Sequence, residues 1–203
     1  MSSVHFYRPS QGHGLPHDPF NAIVAPRPIG WISTVAPDGT RNLAPYSFFN
    51  AFAYTPPIVG FSSTEEKDSA RNARETGEFT WSLVTRPLAE RMNETSTTEG
   101  VDEWERAGLQ PAPSRVVAPP RVADSPVGFE CRVSQILPLT GADGTPNGAV
   151  LTLGEVVGVH IDEDYLQDGI YQTAKAQPVM RAGGPSAYYG ISEDLRFDLR
   201  RPR

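Results

Sequence analysis

The chain alternates apolar and polar residues in short bursts. Across residues 127–137, Phe129, Cys131 and Val133 fall at every second position, with Glu130, Arg132 and Ser134 between them. Successive side chains of a strand point to opposite faces, so this spacing predicts a long strand with one apolar face. Residues 150–161 predict a second, and the polar link at 142–148 makes the two an antiparallel pair. Residues 78–84 form another, with Phe79, Trp81 and Leu83 on one side. Residues 29–35 predict a further strand, ended by Pro37-Asp38-Gly39-Thr40, and residues 41–44 begin the return. Asp-Gly between two strand-like runs is a strong hairpin signal. A short apolar run at 57–62 follows Pro56, which bars a helix there.

Helical segments are small. Residues 68–76 predict one helix, with Asp68 or Ser69 as its N-cap and Gly77 as its stop. Residues 87–93 begin with Pro at a first-turn position, as helices permit, and residues 102–107 predict one or two more turns. Residues 114–126 are Pro-rich and loop-like. Residues 1–22, rich in Pro, Gly and His, read as an arm laid on the body. No internal repeat or linker divides the rest, so residues 23–203 are expected to form a single domain.

Composition narrows the class. A 203-residue chain with 38% hydrophobic and 21% charged residues can pack one core and is not expected to be disordered. Twenty prolines and eighteen glycines impose a turn load that suits short strands better than a helical bundle. The net charge of −6 argues against a nucleic-acid partner; the one basic cluster, Arg196, Arg200, Arg201 and Arg203, reads as a solvated tail. Cys131 is the only cysteine, which excludes an intrachain disulfide and fits a reducing compartment. With no signal-peptide pattern and no apolar stretch of ~18 residues, a cytoplasmic protein without a membrane partner is expected.

Candidate chemistry is sparse. His5, His13, His17 and His160 show no zinc-ligand spacing, so no metal is expected. Cys131, on an apolar strand face, reads as a core residue rather than a nucleophile. Neither glycine-rich phosphate-loop pattern occurs, so a Rossmann-type nucleotide site is unsupported.

One ordered set of short motifs is more specific. It runs Pro26-Arg27-Pro28-Ile29-Gly30-Trp31-Ile32-Ser33-Thr34-Val35, Asp38-Gly39, and Asn42-Leu43-Ala44-Pro45-Tyr46-Ser47-Phe48-Phe49-Asn50. It continues through Pro56-Pro57, Lys67-Asp68-Ser69-Ala70-Arg71-Asn72, Glu75-Thr76-Gly77-Glu78-Phe79, Met92-Asn93, Gly108-Leu109 and Gly154-Glu155-Val156, and closes on Arg181-Ala182-Gly183-Gly184. In this order and spacing the set resembles the flavin-reductase-like, FMN-binding split-barrel family, closest to its flavoredoxin-like branch, over residues 20–190. The resemblance implies a mainly β fold: an antiparallel Greek-key split β-barrel with two or three small peripheral helices. It also implies bound FMN, a homodimer with both chains lining each flavin site, and oxidoreductase activity that passes hydride from NAD(P)H to flavin. Alternatives within the same fold are an electron carrier reduced by a redox partner protein and a non-catalytic flavin-binding module. The neighbourhood 141–147 lacks the Gly-Asp-His motif of many flavin reductases, which leaves nicotinamide use open.

FMN needs positive charge and free N–H groups at its phosphate, donors and acceptors at its ring edge, and a flat surface at its ring face. Lys67 and Ser69 at a helix start suit the phosphate, with Asp68 assigned to capping. Asn42, Ala44, Pro45, Tyr46 and Ser47 suit the ring, small residues giving backbone access and Asn42 and Ser47 its polar edge. Ser33, Thr34, Ser62 and Ser63 are hydroxyls at strand ends that suit one polar ligand, or simply face water. Arg27 is a candidate for phosphate or the dimer partner, or an ordinary surface residue. Arg181, beside Gly183-Gly184, is a further candidate, though Gly-Gly also makes a tight turn.

Overall fold

A computed structural model describes residues 2–202. In chain order the main elements are α1 (Phe20–Ile23), β1 (Arg27–Pro28), β2 (Gly30–Val35), β3 (Arg41–Tyr46), β4 (Phe49–Tyr54), β5 (Pro57–Ser63), α2 (Asp68–Thr76) and β6 (Glu78–Ser82). They continue with α3 (Ala89–Glu94), α4 (Glu103–Arg106), β7 (Pro111–Ala112), β8 (Arg121–Val122), β9 (Val127–Thr140) and β10 (Pro146–Ile161). The short strands β11 (Leu166–Gln167), β12 (Ile170–Tyr171), β13 (Val179–Arg181) and β14 (Tyr188–Gly190) follow.

Seven strands form one antiparallel sheet in the order β3-β2-β6-β9-β10-β5-β4. The sheet curls until strands far apart in that order touch. Tyr46 of β3 meets Phe61 of β5 with ring centroids 4.8 Å apart, and Phe49 of β4 stacks on Trp81 of β6 at 5.6 Å. Those rings, with Ile32, Phe79 and Cys131, fill the inside of the curl. Burial there removes apolar surface from water at roughly 25 cal/mol per Å². The interior is tight enough that a Cβ on Gly154 would stand 2.4 Å from Phe79. A second core, around Trp31, Leu43, Met92 and Trp104, packs α3 and α4 against the opposite face of β2 and β3. The fold is thus mainly β with small peripheral helices, as expected.

The differences in detail have physical causes. β4 was not foreseen, because residues 50–54 are all exposed and carry no alternating burial; edge pairing with β5 makes the strand. The helix at 68–76 has the expected limits, with Gly77 at φ 75° closing it, but neither Asp68 nor Ser69 caps it. Lys67 occupies the cap position in extended backbone, without a side-chain cap. Asp68 is instead engaged by Arg71, and Ser69 lies inside the first turn. A one-turn helix, α1, adds to the expected set where the Asp18 carboxylate accepts from the Phe20 N–H. Glu130, on the polar side of its strand, is fully buried because residues 115–117 fold over it.

Candidate functional site

The β2–β3 hairpin and α2 are fastened together by polar side chains. Asn42 donates through Nδ2 to Ser69 Oγ at 2.8 Å, and Asn72 donates through Nδ2 to Thr34 Oγ1 at 3.2 Å. Both contacts are buried. They fix the start of α2 beside residues 42–46 of β3. As in any helix, its first N–H groups have no intrahelical acceptor, and no side chain caps them. Such an end carries partial positive charge and is suited to an anion.

Two adjoining clefts open there, of about 380 and 250 Å³, sharing Ala44, Tyr46, Lys67, Thr97 and Thr98. Asn42 and Ser69 line the first; Pro45, Ser47, Ser62 and Ser63 line the second. The structure therefore brings these predicted residues from β3, β5 and α2 into one place. Ser63 is 1% exposed and its Oγ has no hydrogen-bond partner among the described residues. A buried hydroxyl without a partner costs free energy, and a polar ligand atom in the cleft would satisfy it. Burial raises the Tyr46 phenol above its ordinary value.

The electrostatics of the first cleft are mixed. Glu65, Glu66, Asp68, Glu99 and Glu103 line it beside Lys67 and Arg71. Several of these carboxylates already have partners: Arg74 donates to Glu66 at 2.6 Å and Arg106 to Glu99 at 2.7 Å. The Leu43 N–H donates to Glu103 at 3.3 Å. Burial first, then Asp102 and Asp68, raise the Glu103 carboxyl above its usual range. Lys67 stands 3.7 Å from Glu65 with both side chains largely exposed, a pair worth ~0–1 kcal/mol, so an incoming anion can compete for it.

Four predicted residues lie elsewhere. Ser33 and Thr34 are sealed in the sheet, 1% and 0% exposed, rather than open at a strand end. Arg27 and Arg181 face one another in the β1–β13 register, and their guanidinium groups are taken up by backbone carbonyls. Arg27 donates to Ser47 O at 3.1 Å and Asn21 O at 2.6 Å, holding the arm against the loop after β3. Arg181 donates to Gly184 O at 2.7 Å and Ala187 O at 2.8 Å, bracing the glycine turn. Residues 97 and 98, which line both clefts, escaped the sequence reading. The signal was the hydroxyl run Thr95-Ser96-Thr97-Thr98 directly after a predicted helix. Thr95 anchors it by accepting from Trp31 Nε1 at 3.0 Å and donating to Met92 O at 2.6 Å.

A curled antiparallel barrel with a polar cleft between β3, β5 and an uncapped helix defines the class of protein. Residues 24–180 match the family described as flavin reductase like domain, and the chain belongs to that family. An uncharacterised protein of Halalkalibacterium halodurans is 37% identical over 187 residues, covering 88% of this chain and 87% of that protein. Among solved structures, nitrilotriacetate monooxygenase component B from Bacillus cereus has a TM-score of 0.86 at 28% identity, covering 98% of this chain and 100% of that one. The 2-nitrobenzoate 2-nitroreductase NbaA of Pseudomonas fluorescens has a TM-score of 0.79 at 27% identity, covering 89% and 88%. Among the described residues no helix is long and apolar enough to cross a membrane, and no cluster of metal-ligating side chains occurs.

Proposed function

We propose that the chain is an FMN-dependent oxidoreductase whose flavin lies in the two adjoining clefts. Its family and the redox activities in the names of its structural neighbours support the class. The observation that carries the site is the uncapped start of α2, with Lys67 at its cap position and the unpartnered Ser63 hydroxyl in the neighbouring cleft. FMN fits that donor set: an anion for the helix end and Lys67, and acceptors for buried hydroxyls. Ser69, whose Oγ already accepts from Asn42, keeps its proton to donate. Residues 44–47 offer backbone, and Ser62 and Ser63 hydroxyls, to the ring. When bound, FMN supplies the hydride acceptance and electron transfer that an NAD(P)H-dependent reaction requires. The protein's own task is to bind, orient and shield it, so no acid, base or nucleophile is assigned.

The same reading makes the protein a cytoplasmic homodimer. The buried lone Cys131 suits a reducing compartment. Edge strand β4 exposes Phe52 at 53% and Tyr54 at 93%, an apolar edge that pairing with a second copy would cover. The test is the absorption spectrum of the purified protein before and after anaerobic NADH, with NADH oxidation measured with and without added FMN. Bound FMN bleached by NADH is the expected result. A protein that binds no flavin at all contradicts the proposal.

A further inference from the structure

The segment after α3 carries four consecutive hydroxyls, Thr95-Ser96-Thr97-Thr98. The first is an anchor. Thr95 is 1% exposed, accepts from Trp31 Nε1 at 3.0 Å and donates to Met92 O at 2.6 Å. Trp31 belongs to β2 and is itself fully buried, so the hydroxyl run is tied to the sheet that carries the site. The Thr95 and Ser96 N–H groups donate to Met92 O at 3.1 Å and Asn93 O at 3.0 Å, which fixes the direction in which the chain leaves α3.

The next two residues stand in the walls of both clefts, and their hydrogen-bonding groups are spare. Thr97 Oγ1 accepts from the Glu99 N–H at 3.0 Å, which leaves its own proton to donate. Neither the Thr98 hydroxyl nor the N–H of Thr97 or Thr98 has a partner among the described residues.

Position and chemistry together select what these groups meet. Ser69 and the start of α2 border the first cleft; Ser47, Ser62 and Ser63 border the second. If the phosphate occupies the one and the ring the other, a group in the wall of both lies beside the polyol chain that joins them. A hydroxyl both donates and accepts, as polyol hydroxyls do. Glu99 and Glu103, which line the first cleft with Thr97 and Thr98, would repel a phosphate but accept from a polyol hydroxyl. That wall suits the neutral part of the ligand.

Resting on the FMN reading, we infer that Thr97 and Thr98 recognise the ribityl hydroxyls of the flavin and that Thr95 is the positioning residue that holds them there. The site then selects flavins that carry a polyol chain.

Equilibrium titration of the full chain with FMN, riboflavin and lumiflavin, followed by flavin fluorescence, tests the inference. Riboflavin carries the polyol without the phosphate, and lumiflavin carries neither. The unsubstituted protein should bind riboflavin about tenfold or more tighter than lumiflavin, as two neutral hydrogen bonds imply. Thr97→Val combined with Thr98→Val keeps side-chain shape and removes both hydroxyls. It should weaken FMN and riboflavin by the same factor, about tenfold, and leave lumiflavin unchanged. Thr95→Val should reproduce that pattern, and Thr95→Ser, which keeps the hydroxyl, should restore wild-type affinities. A merely structural role would lower lumiflavin affinity in step, so equal loss of all three flavins in either valine variant overturns the inference. Equal affinity of the unsubstituted protein for riboflavin and lumiflavin overturns it too, as does loss of FMN alone in the double variant. A protein that binds none of the three overturns the FMN reading itself, whereas flavin bound without polyol discrimination overturns this inference only.

Discussion

Asn42 of β3 donates to the buried Ser69 hydroxyl of α2 at 2.8 Å, so one hydrogen bond ties the sheet to the first turn of the helix that borders the cleft. Ser69→Ala leaves the Asn42 amide buried and unpaired, which costs about 1–3 kcal/mol. In a chain of this size each kcal/mol lowers the melting temperature by ~2–4 °C. The apo protein should therefore melt several degrees lower, and FMN should bind more weakly. An unchanged melting temperature would show that the bond contributes nothing.

Glu130 predicts acid sensitivity. It accepts from the N–H groups of Arg115, Val116 and Val117 and contacts His160 Nε2 at 2.5 Å. Burial opposes its ionisation, but these hydrogen bonds outweigh burial and hold its carboxyl at about 2, below an ordinary 4.5. A carboxyl depressed on folding adds stability that is complete above the unfolded value and is lost as pH falls toward the folded one. Urea midpoints should drop between about pH 4.5 and 2 for this reason. Glu130→Gln should be less stable at pH 7, by ~3–5 kcal/mol if the network opens, with a flatter acid limb. An acid limb as steep as that of the unsubstituted protein would contradict the assignment.

Cys131 is fully buried, and burial, then the Glu130 charge, raise its thiol well above the ordinary value. Thiolate is the reactive form. A disulfide reagent at pH 8 should label the folded protein far more slowly than the urea-unfolded chain. Equal rates would place the thiol at the surface.

Gly154→Ala should destabilise by ~1–3 kcal/mol, since the new methyl would stand 2.4 Å from Phe79 Cε1 and 3.2 Å from Arg132 O. A melting temperature at or above that of the unsubstituted protein would mean that the barrel interior has slack there.

Much of this architecture was legible because local chemistry and tertiary context agree. Alternation marked β9 because Cys131 and Val133 do face the barrel core, and Gly77 ended α2 because only its left-handed backbone closes the turn. β4 was invisible because its exposed residues carry no burial pattern, only the edge pairing that β5 offers. Lys67 and Ser69 at a helix start, and Asn42 and residues 44–47 at a strand exit, are marked as ligand candidates by local features, and the fold places them along the two clefts. The engagement of Arg27 and Arg181 was not legible, because the backbone carbonyls that occupy them come from the arm and the C-terminal loop. For Thr97 and Thr98 the hydroxyl run after α3 is the one local signal, and it does not say where the fold of that segment carries them, which is to the walls of both clefts.

The central claim rests on Lys67 at the uncapped start of α2. The measurement that tests it most directly is FMN and riboflavin affinity, side by side, for the unsubstituted protein and Lys67→Ala. A charge-assisted contact to phosphate is worth ~1.5–3 kcal/mol, and ~1.4 kcal/mol is a factor of ten. Lys67→Ala should weaken FMN by about tenfold or more and leave riboflavin, which has no phosphate, nearly unchanged. Full FMN affinity in Lys67→Ala would contradict the claim.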